Sequence, residues 1–172
     1  MKNLNIVLLI VLISSSFLSC KKERLTKATQ NGANTFSCKI DGKVFVAKDI
    51  YSVPITPKLV FYYSKTDKKL QIIADAPSDK DGEQKHFLFN LANLQTGRNV
   101  LNDRNKAQVV ISRKFQLDEY FYTSSSVVGA LTITLLDTSS NIVSGTFSFQ
   151  AVSRTNSSSV INITEGRFDG KY

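Results

Sequence analysis

The amino-acid sequence predicts an all-β protein, an antiparallel meander that forms a β-sandwich or a closed or partly open barrel. Three observations carry this prediction. From Thr35 to Tyr172, apolar and polar residues alternate with a period of two, clusters of Gly, Asn, Asp and Ser separate the alternating runs, and no segment has the periodicity of a long amphipathic helix. The choice of architecture matters for function, because a barrel can enclose a small ligand whereas a sandwich core is usually solid.

The alternation predicts individual strands and turns. Asp41 and Gly42 separate two alternating runs and predict a type I′ hairpin, because both residues tolerate a positive φ. A second hairpin is predicted to turn through residues 64–68, and one or two helical turns are predicted at 90–96. Strands are expected at residues 36–40, 43–47, 58–63, 69–74, 85–91, 108–112, 115–122, 127–136, 142–152 and 160–168.

The same alternation predicts which side chains face the core. Cys38 shares its face with Phe36 and Ile40, so we expect a buried thiol that packs rather than reacts. The other predicted core residues are Leu131, Ile133 and Leu135 of one strand, Phe147, Phe149 and Ala151 of the next, and Ile161 and Ile163 of the last.

The N-terminus predicts export and a lipid anchor. A short basic start is followed by an apolar run over residues 4–13, about half of the ~20 residues that a transmembrane helix needs. Cys20 comes directly after the small Ser19, which resembles a bacterial lipobox. This resemblance implies that Cys20 is lipidated on its thiol and, after cleavage before it, acylated on its new amino group. An ordinary secretory signal, in which Cys20 is incidental, is the alternative.

These features divide the chain into three parts. Residues 1–19 are predicted to be a lipoprotein signal peptide, residues 20–34 the lipidated cysteine with a flexible tether, and residues 35–172 a single β domain. The dense basic group at residues 21–24 could touch anionic headgroups or simply lie in solvent. We expect attachment to the outer membrane of a bacterial envelope through the acyl chains on Cys20, facing the periplasm or the cell surface.

Composition narrows the functional classes. The 172 residues are 42% hydrophobic and 21% charged, which excludes a disordered, collagen-like or multi-span membrane chain. The formal net charge is +8, but the basic residues are scattered and an exported protein meets little nucleic acid, so no nucleic-acid partner is predicted.

Both ends of the predicted domain resemble a known family. The segments NGANTFSCKIDGKVFVA (residues 31–47), SGTFSFQAV (144–152) and INITEGRFDGKY (161–172) are similar to small lipoproteins of unknown function from Bacteroidota. The resemblance implies a β-rich exported domain and a lipid anchor, and it implies no activity. The basic segment after Cys20 departs from the acidic export tag of the surface lipoproteins in that group, which favours the periplasmic side.

Few residues predict chemistry. His86 is the lone histidine and is expected to face the polar side of its strand. The segment Asp79-x-Asp81-Gly82 resembles part of a calcium loop but lacks the flanking acids, so a solvated connection is favoured. Glu165 and Asp169, with Arg167 between them, are interpreted as a surface ion-pair row. No catalytic residue, cofactor or metal is predicted.

Aromatic residues supply the candidate binding positions. Tyr62, Tyr63, Tyr120 and Tyr122 lie in two short runs that place rings on both faces of a strand, so some rings should point away from the core. The sequence therefore favours a non-catalytic binding or interaction module. The alternatives are a barrel that carries a small apolar ligand and, third, a hydrolase in which Asp75, Glu165 and Asp169 converge.

Overall fold

A computed structural model describes residues 24–48, 58–127 and 129–172. These residues form β-strands joined by turns and contain no helix, which confirms the predicted all-β class. The predicted signal peptide and Cys20 lie outside the described residues. The strands are β1 (Thr35–Ile40), β2 (Lys43–Val46), β3 (Leu59–Ser64), β4 (Lys69–Ala76), β5 (Glu83–Leu91), β6 (Gly97–Leu101), β7 (Lys106–Arg113), β8 (Glu119–Tyr122), β9 (Gly129–Asp137), β10 (Ile142–Ser153) and β11 (Val160–Lys171).

All described strand pairs are antiparallel and belong to one 11-stranded sheet. The main path runs β2-β1-β11-β10-β8-β7-β5-β4-β3, while β9 also pairs with β10, and β6 pairs with β9. The sheet divides at β10, whose first part pairs with β9 and whose last residues, Val152 and Ser153, pair with β8. It curls into a half-barrel with two facing halves, which we call the β10 half (β6, β9, β10, β11, β1, β2) and the β5 half (β8, β7, β5, β4, β3).

Phenylalanine rings from both halves pack together between them. Phe36 of β1 lies 5.0 Å from Phe147 of β10 and 5.3 Å from Phe87 of β5, measured between ring centroids. Phe89 of β5 lies 5.1 Å from Phe147. At the edge of the β5 half, Phe61 packs on Phe168 and directly over Gly170, where a Cβ would lie 1.9 Å from the ring. The interface between the halves is therefore filled by aromatic side chains, as in a solid core.

Most of the predicted core is buried as expected. Cys38 is a free, buried cysteine, and burial raises the pKa of its thiol. Leu135 is the exception among the predicted core residues. The register of β9 against β10 shifts between Ser144 and Gly145. Beyond this irregularity both Leu135 and Leu136 are half-buried, and it is Leu136 that packs against the core.

The tight turns form where the sequence places them. Asp41 and Gly42 have φ values of 47° and 81°, the positive values that the predicted type I′ turn requires. The predicted helical turns at 90–96 are absent, because residues up to Leu91 continue β5 and Gly97 begins β6, a strand that the alternation did not predict. Residues 115–118, predicted as strand, belong to the turn between β7 and β8. No helix within the described ranges has the length and apolar character that crossing a membrane requires.

Residues 26–34 lie against the outer surface of the β10 half, and we call them the strap. The backbone N–H of Thr26 donates to Ser37 Oγ at 3.0 Å, and Arg167 Nη1 donates to the Thr26 carbonyl at 3.2 Å. The backbone N–H of Lys171 donates to Asn34 Oδ1 at 3.2 Å. This corrects the expectation of a flexible tether up to residue 34, because the segment has partners on β1 and β11 that only the folded sheet provides.

Candidate functional site

The four candidate tyrosines divide between the two faces of the sheet. Tyr62 is 62% exposed and points outward from β3. Tyr120 and Tyr122 of β8 point outward too and stack on each other, with ring centroids 6.5 Å apart and planes 9° from parallel. Tyr63 points the other way, packs against the core and meets Tyr172 edge-on at 5.1 Å. Three of the predicted binding aromatics therefore share the outer face of the β5 half, and Tyr63 is a packing residue.

The strand register lines up apolar side chains across this outer face. One register row runs from Val60 through Ile73, Leu88, Gln108, Tyr122 and Val152 to Val160, and thus crosses from the β5 half into the β10 half. Val60 and Val160 are 41% and 40% exposed. Outward positions of a strand that faces water are usually polar, so this row is more apolar than a solvated face needs to be.

A surface pocket of about 340 Å³ lies beside Tyr62 on the same face. Its side chains include Gln71 and Asn90, which are cross-strand partners, and Gln71 Nε2 donates to Asn90 Oδ1 at 2.9 Å. Two cations, Lys69 and Arg104, also line it, and none of the described residues that line it is a carboxylate. We call this group the Tyr62 pocket. It combines an open aromatic ring, amide groups that donate and accept, and positive charge.

The partners of Tyr62 in this pocket were not predicted from the sequence. Gln71 and Asn90 look like ordinary solvent-facing strand residues, and Arg104 lies in a loop. The signal that could have found the amides is the alternation itself. It places Tyr62, Gln71 and Asn90 on one side of their strands, but the register that makes them neighbours is a property of the folded sheet.

His86 faces outward as predicted and bonds with a buried acid. Its Nδ1 lies 2.6 Å from Oδ1 of Asp75, its cross-strand partner. A carboxylate in this position orients the imidazole and holds its tautomer. On the other side, the register partner of His86 is Val110.

The three acids of the hydrolase hypothesis have separate partners. Asp75 bonds with His86 on the outer face of the β5 half. Glu165 pairs with Lys39 at 2.5 Å on the β10 half. Asp169 lies under the strap, so the predicted surface ion-pair row is wrong for this residue, which is 1% exposed. The side chain of Asp169 lies on the outer face of its strand, but because the strap covers it, its carboxylate holds the strap in place.

Asp169 is the acceptor for five donors. Its carboxylate accepts from Thr29 Oγ1 at 2.7 Å, from Ser144 Oγ at 2.7 Å, and from the backbone N–H groups of Asn31, Gly32 and Ala33 at 3.1, 2.9 and 3.0 Å. Burial alone would raise the pKa of Asp169, but these hydrogen bonds stabilise the charged form and lower the pKa to about 2. The site is saturated by the protein's own groups, which leaves a ligand little to bind.

The acidic groups of the connection between β4 and β5 likewise have partners within the protein. Asp79 Oδ1 accepts from the backbone N–H groups of Asp81 and Glu83, and Lys85 Nζ lies 2.6 Å from Asp79 Oδ2. Lys85 also lies 3.0 Å from Glu83 and, with Arg113, lowers the pKa of that carboxyl. Within the described ranges, no group of three or more His, Cys, Asp or Glu is placed to hold a metal ion.

Comparison with known proteins adds no relative. The chain matches no protein-family model, no curated protein and no solved structure. The resemblance to Bacteroidota lipoproteins stays a prediction.

Proposed function

We propose that this chain is a lipid-anchored protein of the bacterial cell envelope whose β domain is a non-catalytic binding module, with the Tyr62 pocket as its ligand site. The anchor is supported by the export signal and by Cys20 after Ser19. The binding role is supported chiefly by one observation: a ring that is 62% exposed stands beside a hydrogen-bonded amide pair and two cations. Tyrosine is enriched at binding surfaces because it offers rigid apolar area with a polar edge.

The groups in the pocket favour an acidic saccharide as the ligand. The face of a sugar ring can lie on Tyr62, and its hydroxyl groups can exchange hydrogen bonds with Gln71 and Asn90. Lys69 and Arg104 would then meet a carboxylate, and a guanidinium can bind a carboxylate through two parallel hydrogen bonds. A purely apolar ligand would offer nothing to the two cations or to the amide donors and acceptors that the Gln71–Asn90 bond leaves open, which disfavours it.

The saccharide proposal is tested by calorimetric titration of the full chain in detergent micelles. The probes are a uronic-acid trisaccharide and a neutral hexose trisaccharide of the same linkage. We expect the acidic sugar to bind more tightly, Tyr62→Ala to weaken binding at least about tenfold, equivalent to ~1.4 kcal/mol, and Arg104→Gln to remove the preference for the acidic sugar. Val100→Ala is the matched control, because Val100 is 48% exposed on β6, outside the pocket. Equal binding by Tyr62→Ala and the parent chain would eliminate the pocket as the site.

The anchor is tested separately by fractionation. Cys20→Ala removes the thiol that would carry the lipid, so the variant should leave the membrane fraction while the parent chain stays in it. A variant that still pellets with membranes would show that Cys20 is not the anchor. Cys38→Ala is the control, because Cys38 is buried in the core and should not affect fractionation.

A further inference from the structure

The turn between β7 and β8 carries two large apolar side chains that touch almost nothing. Phe115 and Leu117 are each 95% exposed. The next most exposed large apolar residue within the described ranges is Tyr62, at 62%. Lys114 Nζ lies 5.0 Å from the centroid of the Phe115 ring. Exposed apolar residues scattered singly need no explanation, but two at one projecting tip form a patch that water solvates poorly.

The turn holds these side chains outward. Phe115 has a φ of 63°, a left-handed conformation that is uncommon for a bulky residue. The backbone N–H of Gln116 donates to the Arg113 carbonyl at 3.1 Å, which closes the turn. At its base, Arg113 Nε donates to Glu83 at 2.7 Å. The tip is therefore presented by a bonded turn on a rigid sheet.

This turn shares its end of the domain with three other connections, and we call that end the hairpin end. Lys43, after the β1–β2 turn, pairs with Asp81 of the β4–β5 connection at 3.8 Å. Arg113, the last residue of β7, bonds to Glu83, the first residue of β5, so the β7–β8 turn and the β4–β5 connection lie side by side. The backbone N–H of Arg154, after β10, donates to the carbonyl of Tyr120 in β8 at 2.8 Å. The β3–β4 and β9–β10 turns lie at the opposite end, as antiparallel pairing requires.

Followed backward along the chain, from Asn34 to Thr26, the strap runs toward the hairpin end. Gly32 and Ala33 bond to Asp169, whose register partner is Thr35 at the start of β1. Thr26 bonds to Ser37 and Arg167, which form a register pair closer to the hairpin end. Cys20 lies six positions before Thr26, and six residues reach at most about 22 Å.

We propose that the tip formed by Phe115 and Leu117 inserts into the lipid bilayer, so that the domain stands on the membrane with its hairpin end down. This rests on the proposed lipid anchor in one respect: Cys20 lies within about 22 Å of Thr26, so the anchor holds the domain near the bilayer, and the chain leaves the strap in the direction of the hairpin end. A convex apolar tip suits a fluid interface, which deforms around it, better than a preformed pocket on a protein. The lysine next to the tip suits the headgroup layer, where a long cationic side chain can extend to the phosphates.

The chain contains no tryptophan, so a single substitution supplies the sole indole fluorophore. Phe115→Trp places it at the tip, and Thr66→Trp, in the exposed β3–β4 turn, places it at the opposite end as the matched control. Each full chain is reconstituted into vesicles of phosphatidylethanolamine and phosphatidylglycerol with brominated acyl chains. We expect a blue-shifted emission and several-fold stronger quenching for Phe115→Trp than for Thr66→Trp, with the difference lost when Leu117→Ser is added.

The outcomes separate this proposal from the anchor. Mass analysis of Cys20 decides acylation, and quenching decides insertion. An acylated chain whose Phe115→Trp indole keeps a water-like emission overturns tip insertion alone. An unacylated chain that shows quenching after incubation with the vesicles overturns the anchor and supports the tip, and one without quenching overturns both. A blue shift without quenching by bromine would mean that another protein chain covers the tip, which also overturns insertion into lipid.

Discussion

The two outer faces of the sheet arise from the same alternation of side chains, but one is covered by the strap and the other is open to solvent. On the β10 half, the outward residues Ser37, Ser144 and Asp169 are polar, yet the strap covers them until each is almost fully buried. On the β5 half, Tyr62, Tyr120 and Tyr122 also point outward, and Tyr62 stays largely open. Polar side chains are thus buried on one face, and aromatic ones are accessible on the other.

The two faces differ in whether their polar groups already have partners within the protein. A carboxylate can be buried only when donors replace the water it loses, and the strap supplies four of the five donors to Asp169. The amide pair and the cations at Tyr62 keep groups available for a ligand. The covered face stabilises the fold, and the open face is the one suited to binding.

The largest expected effect comes from removing the carboxylate under the strap. Asp169→Ala leaves the backbone donors of Asn31, Gly32 and Ala33 without their acceptor and should lower the free energy of unfolding by about 3 to 4 kcal/mol. Urea unfolding measures the loss, and hydrogen exchange should show faster exchange of these amides. Asp81→Ala, which removes an exposed ion pair at 3.8 Å, should change stability by less than about 0.5 kcal/mol. Equal losses in the two variants would contradict a special role for the covered face.

The second prediction concerns acid. The pKa of Asp169 is about 2 in the folded protein against an ordinary value of 3.8, so the folded state favours the charged form. Its contribution, about 2 to 3 kcal/mol, is fully present above pH ~4 and is lost as the pH falls toward 2. Urea unfolding at pH 5, 4, 3 and 2 should show this loss in the parent chain. In Asp169→Asn the fall should be smaller by that amount, and an unchanged pH profile would refute the assignment.

A smaller effect is expected from the backbone of the strap. Gly32 has a φ of 72°, and an added Cβ would lie 2.8 Å from the Lys171 side chain. Gly32→Ala should therefore cost about 1 to 2 kcal/mol in urea unfolding. Gly82→Ala is the control, because Gly82 has a φ of 76° but nothing within 4 Å of the added Cβ. Because the added Cβ is crowded only at Gly32, Gly32→Ala should lose more stability than Gly82→Ala. A smaller loss in Gly32→Ala would mean that the strap can shift to accommodate the methyl group.

The smallest effect is expected on the open face. Tyr62→Ala removes a ring that is 62% exposed and should change the free energy of unfolding by less than about 0.5 kcal/mol. Tyr63→Ala, from the same strand, removes a ring packed against the core and Tyr172 and should cost several times more. A loss above about 2 kcal/mol for Tyr62→Ala would identify that ring as structural and weaken the case for binding.

The strands and turns were largely predictable, because they depend on neighbouring residues. Asp41 and Gly42 predicted their hairpin from two positions, and the alternation around Phe147 and Phe149 predicted the core face of β10. β6 escaped prediction because it is a short strand, which pairs with β9 alone among the described strands, and five residues show too little alternation to stand out. Leu135 was misplaced since a register irregularity changes the face of a residue without changing the local pattern.

The candidate site was predictable only in part. The sequence indicated that tyrosines would point outward, but it did not distinguish Tyr62 from Tyr63, because a run of adjacent aromatics fits either register. Nor did it predict that Gln71, Asn90 and Arg104 would gather beside one ring. Neighbours across strands are set by pairing, and pairing involves residues far apart in the chain.

By itself, the sequence determined the all-β class, the positions of most strands and the core face of β10 with Phe147 and Phe149. These properties follow from side-chain alternation and turn chemistry, which act over a few residues. Tertiary structure alone decided that the strap covers Asp169 and that one outer face stays open around Tyr62. It also decided that Phe115 and Leu117 project from the end of the domain toward which the strap leads when it is followed back to Thr26. The physical reason is that burial and proximity depend on which segments come into contact in the folded chain. The strap contacts β11, more than a hundred residues later in the sequence, and the alternation of side chains within either segment does not indicate that contact.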